Sequence, residues 1–388
     1  MIMIVISLSG RNGAKMKHNS SKTVFIINSL EGGGAEKVFA KLLELVNADL
    51  GRGYDLSVIL LDKKTEVYSL PPNIKVYKVS KYKLLGAFKV FHIILKEKPN
   101  QVVSFLMRAN FINIFYSKIF GYKSFISERS NTKNRLRGRF EKIKSKTLKM
   151  FYENSHGIIC CSQGVADCLN SFFNIPRKKL VVINNPYNIN NLENLAMESV
   201  AASEEYILAI GRIVKTKGFH DLICAYSKLK TNLFLKIVGD GPDREALEAL
   251  CKQLDISEKV IFTGFLSNPY PIIKNSKFYV LSSYTEGFPN TLVESMSLSK
   301  PVIVTNCKDG PNEIMDYHFD ILPGEFVEAK YGLMINTGDV SALANAMQKL
   351  ITDNALNELL ALKSRERASL YTEDSFYKKY KTVLSHRA

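Results

Sequence analysis

Short β-branched runs alternate with stretches of helical spacing along this chain, and the alternation lapses once before starting again. Strand, helix and next strand pack as a right-handed crossover, so a chain written this way builds parallel sheets covered on both faces. In the first half the strand candidates are residues 22–29, 54–61, 73–79, 101–105, 123–127, 157–161 and 180–183. In the second half they are 206–210, 234–238, 260–262, 278–281 and 302–305, with helices predicted near 218–229, 243–254, 290–299 and 340–353. Between the halves, residues 184–202 are polar, contain Pro186 and six asparagines, and carry no strand pattern, which reads as a linker.

At 388 residues the chain is too long for one ordinary domain. The expected architecture is α/β, two Rossmann-like parallel-sheet domains facing an interdomain cleft. The predicted boundaries are an N-terminal extension at 1–21, a first domain at 22–186, a linker at 187–203, a second domain at 204–371 and a closing helix at 372–388. That helix repeats Phe376, Tyr380, Val383 and Leu384 at helical spacing and needs a surface to cover them. Met16 is a second candidate start, which would make residues 1–15 an upstream extension. The opening MIMIVISL is apolar for eight residues only and no run of 18 apolar residues appears, so no spanning helix is expected.

The formal net charge of +16 calls for an anionic partner. Residues 131–151 hold eight basic side chains against the single acid Glu141, with Leu136, Phe140, Ile143 and Phe151 near one helical face. A second basic and apolar stretch lies at 81–98. Basic amphipathic helices lie on anionic bilayers, so peripheral contact with such a membrane is expected. Nucleic acid is not, because no recognised binding motif accompanies the charge. The six cysteines form no C-x-x-C pair and the six histidines are scattered, which fits a cytoplasmic chain with reduced thiols and no metal.

The strongest motif runs from Ser282 to Asn306 (SSYTEGFPNTLVESMSLSKPVIVTN), where a strand gives way to a loop and then a helix opening at Asn290. The backbone N–H groups near Asn290, Thr291 and Leu292 precede the first intrahelical bond and face any anion with the positive end of the helix dipole. Glu286 in the loop and Glu294 one turn inside the helix add two carboxylates that can accept hydrogen bonds from sugar and ribose hydroxyls. Either glutamate alone would be an ordinary surface acid. A second motif, GRIVKTKG at residues 211–218, places Arg212 and Lys217 in a short loop after a strand, where two cations can neutralise a diphosphate leaving group. A third, VGDGPD, leaves Asp240 either touching ligand or capping a helix. A fourth, EGGGAE at 31–36, lets backbone N–H groups approach the phosphates of a donor or else the acceptor. No D-x-D triplet occurs, so no divalent metal is expected on the diphosphate.

These segments resemble the retaining glycosyltransferases of family 4. The resemblance rests on GRIVKTKG, VGDGP, FTGF at 262–265, EGFPNTLVE at 286–294, PVI at 301–303 and GPNEI at 310–314, together with EGGGAEK at the front. It implies a GT-B fold and retention at the anomeric carbon. Arg212 and Lys217 would hold the donor diphosphate, Glu286 the donor sugar and Glu294 the ribose hydroxyls. The backbone from Phe288 to Leu292 would hold sugar hydroxyls and phosphate, and the stretch at Phe262 would line the base pocket. Gly33 and Gly34 would approach the phosphates from the other domain, and the closing helix would cross back onto the first domain. Several relatives carry a histidine after an N-terminal strand, whereas here residues 104–110 (SFLMRAN) have none. Arg108, Asn110, Glu128 and Arg129 are the acceptor-side candidates.

The expected function is metal-independent transfer of a hexose or N-acetylhexosamine from a UDP-sugar to a lipid-linked saccharide in cell-surface polysaccharide synthesis, at the inner face of the cytoplasmic membrane. Catalysis is assigned to Glu286, Arg212 and Lys217. The alternatives are a nucleotide-sugar epimerase on the same fold and a non-catalytic nucleotide-sugar- or nucleic-acid-binding protein.

Overall fold

A computed structural model describes residues 21–49, 54–79, 83–136, 138–198, 204–307 and 309–385. Residues 1–20 of the expected extension at 1–21, part of the linker at 199–203 and residues 81–82 and 137 of the basic stretches lie outside them, and Ser21 already belongs to the first strand.

The chain forms two seven-stranded sheets. The first contains β1 (Ser21–Ile27), β2 (Tyr54–Leu60), β3 (Lys75–Lys78), β4 (Gln101–Phe105), β5 (Lys123–Glu128), β6 (Gly157–Cys160) and β7 (Leu180–Val182), in the order β3-β2-β1-β4-β5-β6-β7. The second contains β8 (Tyr206–Ile210), β9 (Phe234–Val238), β10 (Val260–Gly264), β11 (Phe278–Leu281), β12 (Val302–Thr305), β13 (Phe326–Ala329) and β14 (Gly332–Ile335), in the order β10-β9-β8-β11-β12-β14-β13. Every pairing of these strands among the described residues is parallel except β13 with β14. The α/β reading holds, and the antiparallel β13–β14 edge is what the strand pattern missed. The central strands are continuous apolar runs because helices cover both their faces. Val24, Phe25, Ile26 and Ile27 are fully buried, as is all of β11.

In each sheet the strand order reverses beside the first strand of its lobe. β1 lies between β2 and β4, and β8 lies between β9 and β11. Loops leaving the carboxyl ends of strands that flank such a reversal diverge and leave a crevice between them. The glycine loop follows β1, the Lys217 loop follows β8 and the Glu286 loop follows β11.

One apolar cluster runs through both lobes, joining Ile158 and Leu169 to Tyr279, Leu292 and Met296 by way of Tyr187 and Leu192. Leu192 belongs to a helix, Ile189–Leu195, inside the stretch read as linker. Asn188 caps its start by accepting from Asn191 N at 3.1 Å, so a polar composition there encodes a capped helix as well as a connection. The closing helix, Glu373–Ser385, buries Phe376, Tyr380, Val383 and Leu384 in the core of the first lobe, beside Phe25 and Val103.

The basic stretch at 131–151 is not one amphipathic helix. It forms Thr132–Leu136 and Glu141–Tyr152, separated by Gly138 at φ 105° and Phe140 at φ 67°. Left-handed residues break the helical face, so Leu136 is buried while Phe140 and Ile143 point to solvent.

Candidate active site between the lobes

Three loops of the second lobe converge by close backbone approach. A Cβ on Gly218, which sits at φ 66°, would meet the Ser282 carbonyl oxygen at 2.0 Å, and one on Gly239 would meet the Gly211 oxygen at 2.0 Å. Glycine is therefore required for the β8, β9 and β11 loops to touch. Across this contact Ser282 Oγ donates to Lys217 O at 2.9 Å and Tyr284 N donates to Thr216 O at 2.9 Å.

Held this way, the Lys217 stem lies over Gly211 and its Nζ reaches Glu286 Oε1 at 2.6 Å. Ser283 Oγ donates to the same oxygen at 2.6 Å. Glu286 accepts these bonds on one oxygen, which leaves Oε2 without a hydrogen bond among the described residues. Arg212, in the same loop as Lys217, is exposed and makes no ion pair among the described residues. Asp240 is exposed as well and accepts from Gly241 N at 2.7 Å, which stabilises its own turn. Phe262 packs on the second-lobe core with Arg244 stacked 5.9 Å from its ring.

Glu294 is buried, and its Oε1 forms an ion pair with Lys37 of the first lobe. Lys37 Nζ also donates to Tyr270 OH at 2.5 Å. Burial works against the Lys37 charge, but Glu294 and Tyr270 more than offset it and hold the ammonium above the ordinary lysine range. The Tyr270 phenol is pushed up to about 12, by burial first and then by the Glu294 carboxylate. Tyr279 lies between the two glutamates. Burial and both carboxylates raise its phenol, which pairs with Thr291 Oγ1 at 2.8 Å.

Asn290 opens the helix Asn290–Ser297 and ties the lobes together. Its Oδ1 accepts from Tyr187 OH at 2.8 Å and from Asn185, and its Nδ2 donates to Gly34 O at 3.3 Å. Phe288 and Leu292 are buried. The Phe288 ring meets Tyr371 edge-on at 5.3 Å, so only the backbone of these two residues can serve a ligand. At the front loop the Glu36 carboxylate folds over Gly33, where a Cβ would meet its Oε2 at 2.1 Å. The start of the helix Gly34–Ala48 is thus already faced by an acid of this chain, whose carboxyl is raised mainly by burial.

The acceptor-side candidates separate. Asn110 is fully buried, accepting from Ser104 Oγ at 2.9 Å and donating to Ser127 O at 3.1 Å, so it staples β4 to β5 and cannot meet a substrate. Glu128 is also fully buried and accepts from Tyr152 OH at 2.6 Å, which removes it as well. Both assignments fail because polar residues at strand ends look alike in sequence whether they face a cleft or a core. Arg108 is partly exposed and pairs with Asp62 at 2.6 Å. Arg129 lies at the crevice: it stacks 5.6 Å from the Phe105 ring, donates to Asn185, and its carbonyl oxygen would be 2.4 Å from a Cβ on Gly287.

Sequence reasoning missed Lys37, Tyr270, Asn185 and Tyr187. The available signal was position: Lys37 follows the glycine loop by one helical turn at a strand-order reversal, and Asn185 and Tyr187 leave β7 where the chain crosses between lobes.

Two family models match this chain, "Glycosyltransferase Family 4" over residues 32–191 and "Glycosyl transferases group 1" over residues 193–371. Among curated relatives, the Campylobacter jejuni N-acetylgalactosamine-N,N'-diacetylbacillosaminyl-diphospho-undecaprenol 4-alpha-N-acetylgalactosaminyltransferase is 28% identical over 90% of this chain and 95% of its own. The lipopolysaccharide core biosynthesis glycosyltransferase LpsE of Rhizobium meliloti is 26% identical over 86% of this chain and 90% of its own. The solved structure of Anabaena HepE with UDP-glucose superposes with a TM-score of 0.75 at 18% identity, covering 94% of this chain and 99% of that one. With the two models meeting end to end across both lobes, and with this architecture, the chain belongs to the family 4 glycosyltransferases and has the GT-B fold.

Proposed function

We infer that this enzyme transfers a hexose or N-acetylhexosamine, with retention, from a UDP-sugar to a lipid-linked saccharide during surface-polysaccharide assembly. The observation that carries the reading is the Lys217–Glu286 pair, seated where the β8 and β11 loops meet, beside the exposed Arg212, which makes no ion pair among the described residues, and the helix start at Asn290. Cations and N–H groups aimed at a pyrophosphate stabilise the charge that grows as the glycosidic bond to phosphate breaks. The acceptor hydroxyl attacks the anomeric carbon from the same face and passes its proton to the departing phosphate oxygen. Glu286 orients the sugar through its spare oxygen and forms no covalent adduct. Arg212 and Lys217 supply the positive charge at the diphosphate, so no metal is required.

The choice of donor is supported by HepE, whose structures are described in complex with UDP and with UDP-glucose. The choice of acceptor is supported by the Campylobacter relative, whose name specifies a diphospho-undecaprenol-linked saccharide. A bilayer contact has a physical basis in the first lobe. The helices Lys83–Glu97, Met107–Phe120 and Glu141–Tyr152 pack side by side and expose Phe88, Phe115, Ile119, Ile143 and Met150 among lysines, with Phe140 exposed just ahead of the last. No helix among the described residues is long and apolar enough to cross a membrane. We place the enzyme peripherally on the cytoplasmic face.

The test is a panel of nucleotide-sugars incubated with undecaprenyl-diphosphate-linked saccharide acceptors, with the anomeric configuration of the product read by NMR. An α-linked product from an α-linked UDP-sugar, formed equally in EDTA, is expected. An inverted product, dependence on a divalent cation, or isomerised donor in the absence of acceptor would overturn the corresponding part of the reading.

A further inference from the structure

We propose that Lys37 is a positioning residue for the donor, fixing one oxygen of Glu294 from the opposite lobe so that the other is presented to the two hydroxyls of the donor ribose. The inference rests on the reading of Glu294 as the ribose-binding carboxylate.

Glu294 is 3% exposed, and a carboxylate so buried depends on a charged partner to hold it in place. Among the described residues the second lobe supplies it with no cation. Its ion-pair partner among the described residues comes from the helix Gly34–Ala48 of the first lobe. That ammonium is itself oriented by Tyr270 OH at 2.5 Å and stands 5.2 Å from the centroid of the Tyr270 ring. Lys37 takes Oε1, while Oε2 accepts no hydrogen bond from the described residues and is not sealed from solvent. Glu294 lines a cavity of about 290 Å³ built by both lobes, with Lys37, Tyr68, Tyr187 and Asn290 also in its wall. A vicinal diol entering there finds an acceptor fixed by Lys37 only when the lobes are together. The second lobe alone therefore carries the residues that grip pyrophosphate but an incomplete grip on the ribose.

Titration calorimetry of the full chain with UDP and with 2′,3′-dideoxy-UDP tests this, because a residue acting through Glu294 on the ribose hydroxyls must couple to those hydroxyls. Wild type is expected to bind UDP about tenfold or more tighter than the dideoxy compound, the worth of a charge-assisted hydrogen bond. Lys37→Met should weaken UDP by a similar factor and bind the two ligands alike, while Lys37→Arg keeps the preference. If Lys37→Met weakens both ligands equally, or leaves the preference intact, the proposal is wrong. A wild type that binds UDP but ignores the loss of both hydroxyls overturns the ribose reading of Glu294 and the proposal with it. A wild type that binds no nucleoside diphosphate at all overturns the donor assignment instead. Should Lys37→Met fail to fold by circular dichroism, Tyr270→Phe removes only the second contact of the ammonium. It is expected to lose part of the same preference, and an unchanged preference there counts against the proposal.

Discussion

Two glutamates in one nine-residue segment each meet a lysine, and the two lysines come from different lobes. Glu286 pairs with Lys217 through loops of the same sheet, held at fixed distance by glycines that let backbones touch. Glu294 pairs with Lys37 across the crevice and has that partner only while the lobes meet. The first pair belongs to a single folded unit, so it is preformed. The second is conditional on domain position, and separate domains of one chain move relative to each other unless their interface is large and apolar. Here the interface combines a shared apolar cluster with polar bridges, among them Asn290 to Gly34 and Glu313 to the Gln163 backbone N at 2.6 Å. The difference teaches that two glutamate–lysine pairs whose acids are adjacent in sequence answer to different parts of the structure.

The comparison breaks most sharply at Lys217. Lys217→Ala is expected to lower kcat by about a hundredfold to a thousandfold, as loss of a preorganised charge on the leaving group does, with the circular dichroism spectrum unchanged. A variant retaining wild-type turnover would remove the preformed pair from the chemistry. Gly218→Ala attacks the scaffold of that pair. Its Cβ would stand 2.0 Å from a carbonyl at a positive φ, and a loss of about 2 kcal/mol or more is expected in urea unfolding. Gly287→Ala sharpens the contrast because its clash, 2.4 Å from Arg129 O, lies across the lobes. It should widen the crevice by small-angle scattering while costing less stability than Gly218→Ala.

Glu313→Gln probes the rear of the interface. Glu313 accepts from Gln163 N at 2.6 Å, at the start of the helix Gln163–Ser171, and from Asn184 at 2.7 Å. Losing the charge at that helix start should cost about 1 kcal/mol by thermal unfolding. A control comes from a third glutamate–lysine site with no part in the crevice. Glu97 is buried within the first lobe between Lys22 at 2.6 Å and Lys75 at 2.7 Å. Burial alone would raise its carboxyl, but these bonds pull it down to about 2 from 4.5. A depressed acid contributes stability that is full above its unfolded value and lost as pH falls through the folded one. Wild type should therefore lose stability between about pH 4.5 and 2, and Glu97→Gln should flatten that part of the melting curve. An unchanged slope would contradict the assignment.

Much of the second lobe's site was legible because its chemistry lies in compact loops after predictable strands. GRIVKTKG and EGFPNTLVE each bring charge, glycine and helix start together within a few residues, and local sequence dictates their shape. The first lobe was less readable. Asn110 and Glu128 look like cleft residues by position, but the side chains turn into hydrogen-bonded core positions. The basic run at 131–151 has an amphipathic period that Gly138 and Phe140 interrupt with left-handed backbone.

The sequence by itself determined the two parallel sheets, the loops at their reversals and the cationic and acidic residues those loops carry, because periodicity and short-range turns are local properties of the chain. Only the tertiary structure decided that Lys37, 257 residues away, would neutralise Glu294, and that Asn185 and Tyr187 would steady Asn290. Those contacts depend on how one lobe is set against the other, and that placement comes from surfaces assembled by many distant segments at once.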